Sequence, residues 1–435
     1  MSGFSPRYLL EVLRRLPSCQ RYWLAYSGGR DSHVLLHALA VLRPELSAHI
    51  QVIHIDHGLQ PDSARWVLHC QSICATLQIP FLSRRVQARP LAGQSPEAAA
   101  RQARYAELGG LLAEGDMLLT AHHRDDQAET LMLQLLRGAG PHGLAAMPES
   151  RVLGAGLLVR PLLGFSRHDL EDYARQQDLH WIDDPSNGDT GFRRNYLRHE
   201  VMPQLHAQWP AADRTLARSA GLCADAAILL DQLAEKDMLT LVMGDGLSIA
   251  GLQGLDPVRQ RNVLRYWCAS KALPLPGQAH IQQIQQQMAS TNDGAPLICW
   301  PGAELRCYRG CMMIMSPLPP LDTSLEWAWD MSAVLDLPHG RLSAHSGQGG
   351  LDAELWRQQI TVRFRRGGER FRLASGKHHS LKKFLQEQHV APWQRDRIPL
   401  IFSNGELAVI AGLLVCEDFV ARPNRPSFRF EWNPC

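Results

Sequence analysis

Through the first half of the chain, short apolar runs alternate with longer stretches whose apolar positions recur at helical spacing. The runs at 21–26, Ile50–Asp56, Pro80–Val86, Asp116–Ala121 and Leu157–Arg160 predict strands. The stretches at 32–42, 62–78, 96–113, 124–137 and 166–179 predict helices between them. That alternation predicts an α/β domain over residues 1–215, a Rossmann-like parallel sheet with helices on both faces. Ligands in such sheets bind beyond the carboxyl ends of the strands. From about 195 to 240 the pattern is helical, and the second helix of that stretch leads into a new domain. Residues 216–320 are expected to form a mostly helical middle domain, with a mixed pattern over 241–315. The Pro-rich segment 316–323 predicts a linker. A small α+β domain is expected over 321–435, its core about 360–435, with β-like runs at Ile360–Arg365 and Leu407–Val415 and a basic helix near Ser380–His389.

The chemistry gathers where predicted strands end. Ser27-Gly28-Gly29-Arg30-Asp31-Ser32 joins the first strand to the first long helix. Its glycines permit positive φ and close approach of backbone to a ligand. The helix start adds unpaired N–H groups and partial positive charge, so the turn suits phosphate. It lacks the Lys of a kinase-type phosphate loop. Asp31 stands in the loop instead and would repel phosphate without a cation between them, which makes it a natural ligand for Mg²⁺. A plain Gly-rich turn with Asp31 or Ser32 as helix cap is the competing reading. Asp56 and His57 end the second strand, where a turn explains them as well as a nucleotide does.

His122-His123-Arg124-Asp125-Asp126-Gln127-Ala128-Glu129 leaves a strand and enters a helix. Asp125 and Asp126 suit a helix N-terminus by dipole alone, but either could complete a Mg²⁺ site with Asp31, and Asp126 is the one taken as the second ligand. Gly138–Leu144 reads as a loop near the site, and Trp181–Asn187 as a further segment of it. Asn195 is expected to cap a helix on which Arg194 and Arg198 share one face, suited to clamping phosphate or carboxylate. Pairing with Glu200 or Asp184 is the simpler account of those arginines. Glu97, Arg101 and Arg104 share a helix face, where a Glu97–Arg101 ion pair is the cheaper explanation.

The formal net charge of +2 says little about partners, but Thr361–Arg397 carries ten Lys and Arg against three acids, a local +7. Such a cluster suits a polyanion. Arg363, Arg365, Arg366, Lys382 and Lys383 are the candidates for contact with such a partner. The ten cysteines contain no C-x-x-C, which argues against zinc ribbons and thioredoxin-type redox. Cys70 and Cys74 are expected on a helix, in or beside the core. No apolar run is long enough to span a bilayer, the N-terminus lacks signal-peptide architecture, and a cytoplasmic location is expected.

Ser27–Ser32 resembles the loop of PP-loop ATP pyrophosphatases, which cleave ATP between its α- and β-phosphates. Together with His57-Gly58-Leu59, Ala100–Tyr105, His122–Thr130, Arg137–Gly140, Arg160–Leu163 and Arg194–Arg198, the chain resembles the bacterial tRNA(Ile)-lysidine synthetases. Gly376, Leu381–Phe384, Pro392-Trp393 and Arg395 extend the likeness to that family's terminal tRNA-binding domain. The resemblance implies a ligase using ATP and Mg²⁺. It would adenylate the wobble cytidine of isoleucine tRNA with a CAU anticodon and then join free L-lysine to it. It further implies catalytic roles for Asp31, Asp125, Asp126, Arg104, Arg194 and Arg198, and nucleotide binding by Ser27–Ser32, Asp56 and His57. Asp125, Asp126 or Glu129 would receive the lysine amine; Arg101, Arg104, Arg194 or Arg198 would receive its carboxylate. A tRNA thiolase of the same fold, a pyrophosphatase for a small metabolite, and a non-catalytic tRNA-binding protein are the alternatives.

Overall fold

The computed structural model describes residues 3–56, 63–86, 96–289, 296–347, 350–354, 359–372, 378–423 and 425–434. They fall into two compact units, Met1–Gln232 and Leu233–Cys435. In the first unit six strands form one sheet: β1 (Arg21–Ala25), β2 (His49–Asp56), β3 (Phe81–Arg85), β4 (Asp116–Leu119), β5 (Ser150–Leu153) and β6 (Gly156–Val159). Their order is β3-β2-β1-β4-β6-β5. Every neighbouring pair is parallel except the β5–β6 hairpin.

Parallel strands are covered on both faces, and β1 shows how one short run serves both. Tyr22 and Leu24 turn toward α1 (Pro6–Arg14), α2 (Arg30–Leu42), α3 (Ser63–Thr76) and α7 (Arg167–Gln176). Trp23 and Ala25 turn toward α4 (Pro96–Leu111) on the other face. The Trp23 indole N–H donates to the buried Asp116 carboxylate at 3.2 Å, which ties β1 to the start of β4.

The chain leaves β1 toward β2 on one side and β4 toward β6 on the other. The carboxyl ends of β1 and β4 therefore border the crevice at which such sheets bind ligands. α2 follows β1, and α5 (Arg124–Leu135) follows β4, so two helix N-termini face that crevice. α2 begins at Arg30, two residues before the expected Ser32, because Gly29 takes the extended cap conformation. The β5 edge strand was not expected. Its turn depends on Gly154, at φ +57°, where a Cβ would lie 2.0 Å from the Gly109 carbonyl oxygen of α4.

Beyond α6 (Pro141–Leu144) and α7 the chain forms α8 (Arg193–Tyr196), a π-helical turn at Leu197–Val201, α9 (Met202–Gln208) and the long α10 (Ala212–Leu241). The division between the units falls inside α10.

The second unit opens with helices at Ile249–Gln253, Pro257–Ser270 and Gln278–Ala289. They pack with a five-stranded antiparallel sheet that the expectation of a mostly helical middle did not include. Strands shorter than six residues, such as Gly246–Ser248 and Cys311–Met315, leave little period-2 pattern to read. After the Pro-rich segment come a five-stranded and a four-stranded sheet, with the basic helix at Leu381–Glu387.

Gly28 has φ +86°, and a Cβ there would stand 3.0 Å from Cys70 Sγ on α3, whereas Gly29 has φ −79° with nothing nearer than 3.5 Å. Gly28→Ala is expected to cost about 1–2 kcal/mol from the left-handed backbone alone and to weaken ATP binding. Gly29→Ala is expected to be milder in both. Urea denaturation and ATP titration of the two variants check the contrast.

Candidate active site

The turn after β1 is held by its own serines. The Ser32 hydroxyl donates to the Gly29 carbonyl at 2.9 Å, receives the Ser27 N–H at 3.3 Å, and lies 3.1 Å from the Ser27 hydroxyl. Behind it, His54 Nδ1 lies 2.9 Å from the Tyr26 carbonyl oxygen, with Cys70 Sγ 3.7 Å from the same nitrogen. The Ile182 N–H donates to the Gly28 carbonyl at 3.1 Å and brings the 181–184 segment alongside the loop. Arg30 is drawn to Asp31 and to Glu171 of α7, each at 3.1 Å. Together these segments border a cleft of about 470 Å³ whose lining includes Ser27, Gly29, Asp31, Ser32, Asp126 and Arg198.

One imidazole organises the acids. His123 caps α5 and is 1 % exposed. Its Nε2 lies 3.5 Å from Asp31 Oδ2 and 3.5 Å from Asp126 Oδ2, and its Nδ1 lies 3.5 Å from Asp125 Oδ2. Burial alone would lower the His123 pKa, but Asp126, followed by Asp125 and Asp31, outweighs it and raises it to about 10. The ring is therefore an imidazolium at neutral pH. Burial acts against ionisation of Asp31, yet His123 and then Arg30 hold its pKa well below the usual range. His122 is the opposite case. Burial, only partly offset by Asp126, lowers it to about 3, and its Nδ1 meets Thr120 Oγ1 at 2.9 Å.

The arginines converge from α8 and the π-helical turn. Arg194 Nε donates to Glu129 at 2.9 Å and Arg198 Nε at 2.7 Å, while both reach Asp126, at 3.3 and 3.1 Å. Glu129 is 2 % exposed and also lies 3.7 Å from Arg167. With three guanidiniums around it, Glu129 acts as their buried counter-charge. The pairing with Glu200 or Asp184 is not found. Asp125 turns toward α7 and accepts the Arg167 N–H at 2.8 Å. It borders a smaller hollow of about 140 Å³ with Glu129 and Arg198. Asn195 does not cap a helix. Phe192 holds that position, and the Asn195 amide donates to the Ser186 and Asp189 carbonyls, each at 2.9 Å.

Arg104 lines the cleft. Asp56 does not line it and lies 3.8 Å from Arg85. His57 and the Glu97 side chain lie outside the described residues. Among the described residues no group of three or more His, Cys, Asp and Glu side chains is placed to hold a metal ion. Asp31 and Asp126 still fit Mg²⁺, which takes one or two carboxylates and completes its shell with phosphate oxygens and water.

The basic stretch near the C-terminus divides in two. Arg363 donates to Glu369 at 3.2 Å and stacks 4.1 Å from the Phe402 ring centre. Arg365 pairs with Asp396 at 2.7 Å, and the two arginines are only 16 % and 18 % exposed. Arg366 donates to the Thr323 and Ser324 carbonyls at 2.9 and 2.8 Å. All three were expected to meet tRNA; each also gives at least one donor to the fold, and the Arg366 side chain stays 41 % exposed. Lys382 and Lys383 are exposed.

A PP-loop domain description matches residues 6–205, a TilS substrate binding domain 247–313, and a TilS substrate C-terminal domain 360–432. The tRNA(Ile)-lysidine synthase of Coxiella burnetii is 43% identical over 99% of this chain and 97% of its own length. That of Methylococcus capsulatus is 41% identical over 95% and 96%, and that of Pseudomonas syringae pv. tomato 42% over 94% and 92%. The chain belongs to the tRNA(Ile)-lysidine synthases. For a tRNA(Ile)-lysidine synthase, the parts that sequence reasoning missed are those that balance charge. His123 was seen only as one member of a dense cluster, and Arg167 was not singled out. The signal for His123 was present: it stands immediately before the helix turn that carries Asp125 and Asp126.

Glu129→Gln is expected to lower stability by about 2 kcal/mol, less than a fully buried pair because the arginines keep part of their hydration. It should also cut turnover strongly by releasing Arg194 and Arg198. Thermal melts and steady-state kinetics of the variant check both. Neutralising Lys382 and Lys383 should lower the salt slope of tRNA binding by about 0.7–0.9 per lost contact. Arg363→Ala should instead act mainly on stability. Binding isotherms over a salt series, set beside melting curves, separate the two.

Proposed function

We propose that this chain makes lysidine in isoleucine tRNA. The carbon-2 oxygen of the wobble cytidine attacks the α-phosphorus of ATP, and pyrophosphate leaves. The amine of free L-lysine then forms a bond to carbon 2, and AMP departs with the oxygen. The observation that carries this reading is the phosphate-type loop, with its Asp31, facing Asp126, Arg194 and Arg198 across one cleft. Membership of the family and the PP-loop match support ATP as the nucleotide.

Backbone N–H groups at the start of α2 would hold the phosphates. Asp31 and Asp126 would hold Mg²⁺, which when bound lowers the charge barrier to attack at phosphorus. Arg194 and Arg198 keep their guanidinium planes fixed through Glu129, so their unused donors are oriented before a substrate arrives. Glu129 is saturated by arginine and is a poor receiver for the lysine ammonium. Asp125 remains for that task, with the unused donors of Arg194 and Arg198 for the lysine carboxylate. We further assign residues 1–215 to catalysis, 216–320 to substrate binding and 321–435 to tRNA binding, in the cytoplasm where tRNA and ATP are found.

A thiolase reading needs a sulfur relay. Among the described residues no cysteine lines the cleft, and Cys70 and Cys74 are buried, with burial raising both thiols to about 12.

Purified protein with ATP, Mg²⁺, labelled lysine and an isoleucine tRNA transcript is expected to incorporate label and release AMP. Asp31→Asn should lose about 10²–10³-fold of that activity, the scale for removing one preorganised charge at a reacting centre, while tRNA affinity holds. No incorporation by the unaltered protein, or near-normal AMP release by the variant, would overturn the assignment.

A further inference from the structure

Every arginine pair described so far has a carboxylate or carbonyl partner, but one cluster lacks carboxylates. Arg101 and Arg151 place their guanidinium carbons 5.1 and 5.0 Å from the centre of the Tyr105 ring. Arg160 follows β6, is 3 % exposed, and donates from Nη1 to the Pro148 carbonyl at 2.5 Å. Among the described residues its Nε is buried without a hydrogen-bond partner. Arg104, one turn along α4 from Arg101, lines the cleft. Among the described residues none of the four meets a carboxylate.

Gathering like charges without a counter-charge is unfavourable unless an anion completes the site. The strain is visible. Burial pushes Arg160 below its ordinary pKa; Tyr105 opposes it, while Arg151 and then Arg101 push the same way as burial. Burial lowers Arg104 as well, partly offset by Tyr105, with a lesser lowering from Arg101. The cluster also has a direction. Arg101 and Arg151 are exposed on α4 and the β5 edge strand, Arg160 is buried after β6, and Arg104 opens into the cleft. A single phosphate or carboxylate would satisfy one end of such a row. A chain of phosphodiesters satisfies all of it.

We propose that Arg101, Arg151, Arg160 and Arg104, assembled around Tyr105, form a track for the sugar–phosphate backbone of the tRNA beside the wobble nucleotide. This rests on the lysidine-forming reading and extends it by naming a path into the cleft. The exposed Arg101 and Arg151 supply attraction and register. Arg104 draws the strand inward, where the target base meets the nucleotide, and the buried Arg160 adds its charge from behind.

The test uses full-length protein and an isoleucine tRNA transcript, with binding measured over a salt series in the absence of lysine. Arg151→Glu, on an exposed edge strand, should weaken tRNA binding about tenfold and lower the log–log salt slope by at least about 0.7. ATP affinity and melting temperature should stay close to those of the unaltered protein. Arg101→Gln should act in the same direction, by less. Unchanged tRNA affinity and slope in both variants would overturn the track. In parallel steady-state kinetics, an effect confined to the KM for lysine would also overturn it and assign the cluster to the amino-acid carboxylate. Because binding is read without turnover, failure of the unaltered protein to form lysidine would strike the proposed function and leave the track to be judged on its own.

Discussion

Three carboxylates around one buried imidazole are the constraint on which the site depends. Asp31 arrives from the turn after β1, and Asp125 and Asp126 from the first turn of α5. Unscreened, they would repel one another and any phosphate brought to the loop. The His123 imidazolium favours ionisation of all three, and its own charge is maintained by theirs. Glu129 repeats the logic with the signs exchanged, one buried acid among guanidiniums. Acids and bases can then stand in one cleft without neutralising each other completely.

The fold makes this arrangement affordable in backbone terms. β1 and β4 are adjacent, so two strand ends and two helix starts meet without a long loop. The π-helical turn at Leu197–Val201 adds a residue to the helical repeat just where Arg198 must align with Arg194 on Glu129, a use of such turns common at functional sites. The Gln127 side chain exchanges two hydrogen bonds, each 3.0 Å, with the backbone of Met147, which fixes the chain beyond α6 to the same helix.

The sheet, its helices and the phosphate-type turn were legible because their signals are local: apolar period, glycine pairs, and the strand-to-helix switch. The β5 hairpin was not, since its strand is mostly exposed and carries little apolar pattern. That Asp31 would meet Asp125 or Asp126 was readable from motif chemistry, and the structure brings all three to His123. The role of Glu129 was not, because its partners lie 65–69 residues away in the chain. Asn195 read as a cap from residue type alone, yet its amide spans back to the Ser186 turn. Counting cations in 361–397 did not reveal that some of them also brace the fold. Charge in a sequence carries no record of which carboxylate or carbonyl it will meet.

The Pro-rich segment shows what some of those cations do instead. Prolines supply carbonyls without N–H groups, so a strand of them cannot be held by an ordinary ladder. Arg397 donates to the Pro319 carbonyl, and Arg366 takes those of Thr323 and Ser324. A segment that composition marks as a tether is thereby a braced spacer. A tethered module samples many orientations and loses that freedom when it binds, whereas a braced one has already surrendered it during folding. For a ligand as large and stiff as tRNA, the effective concentration of the second contact, once the first is made, is then set by the geometry of the second unit rather than by the length of a linker.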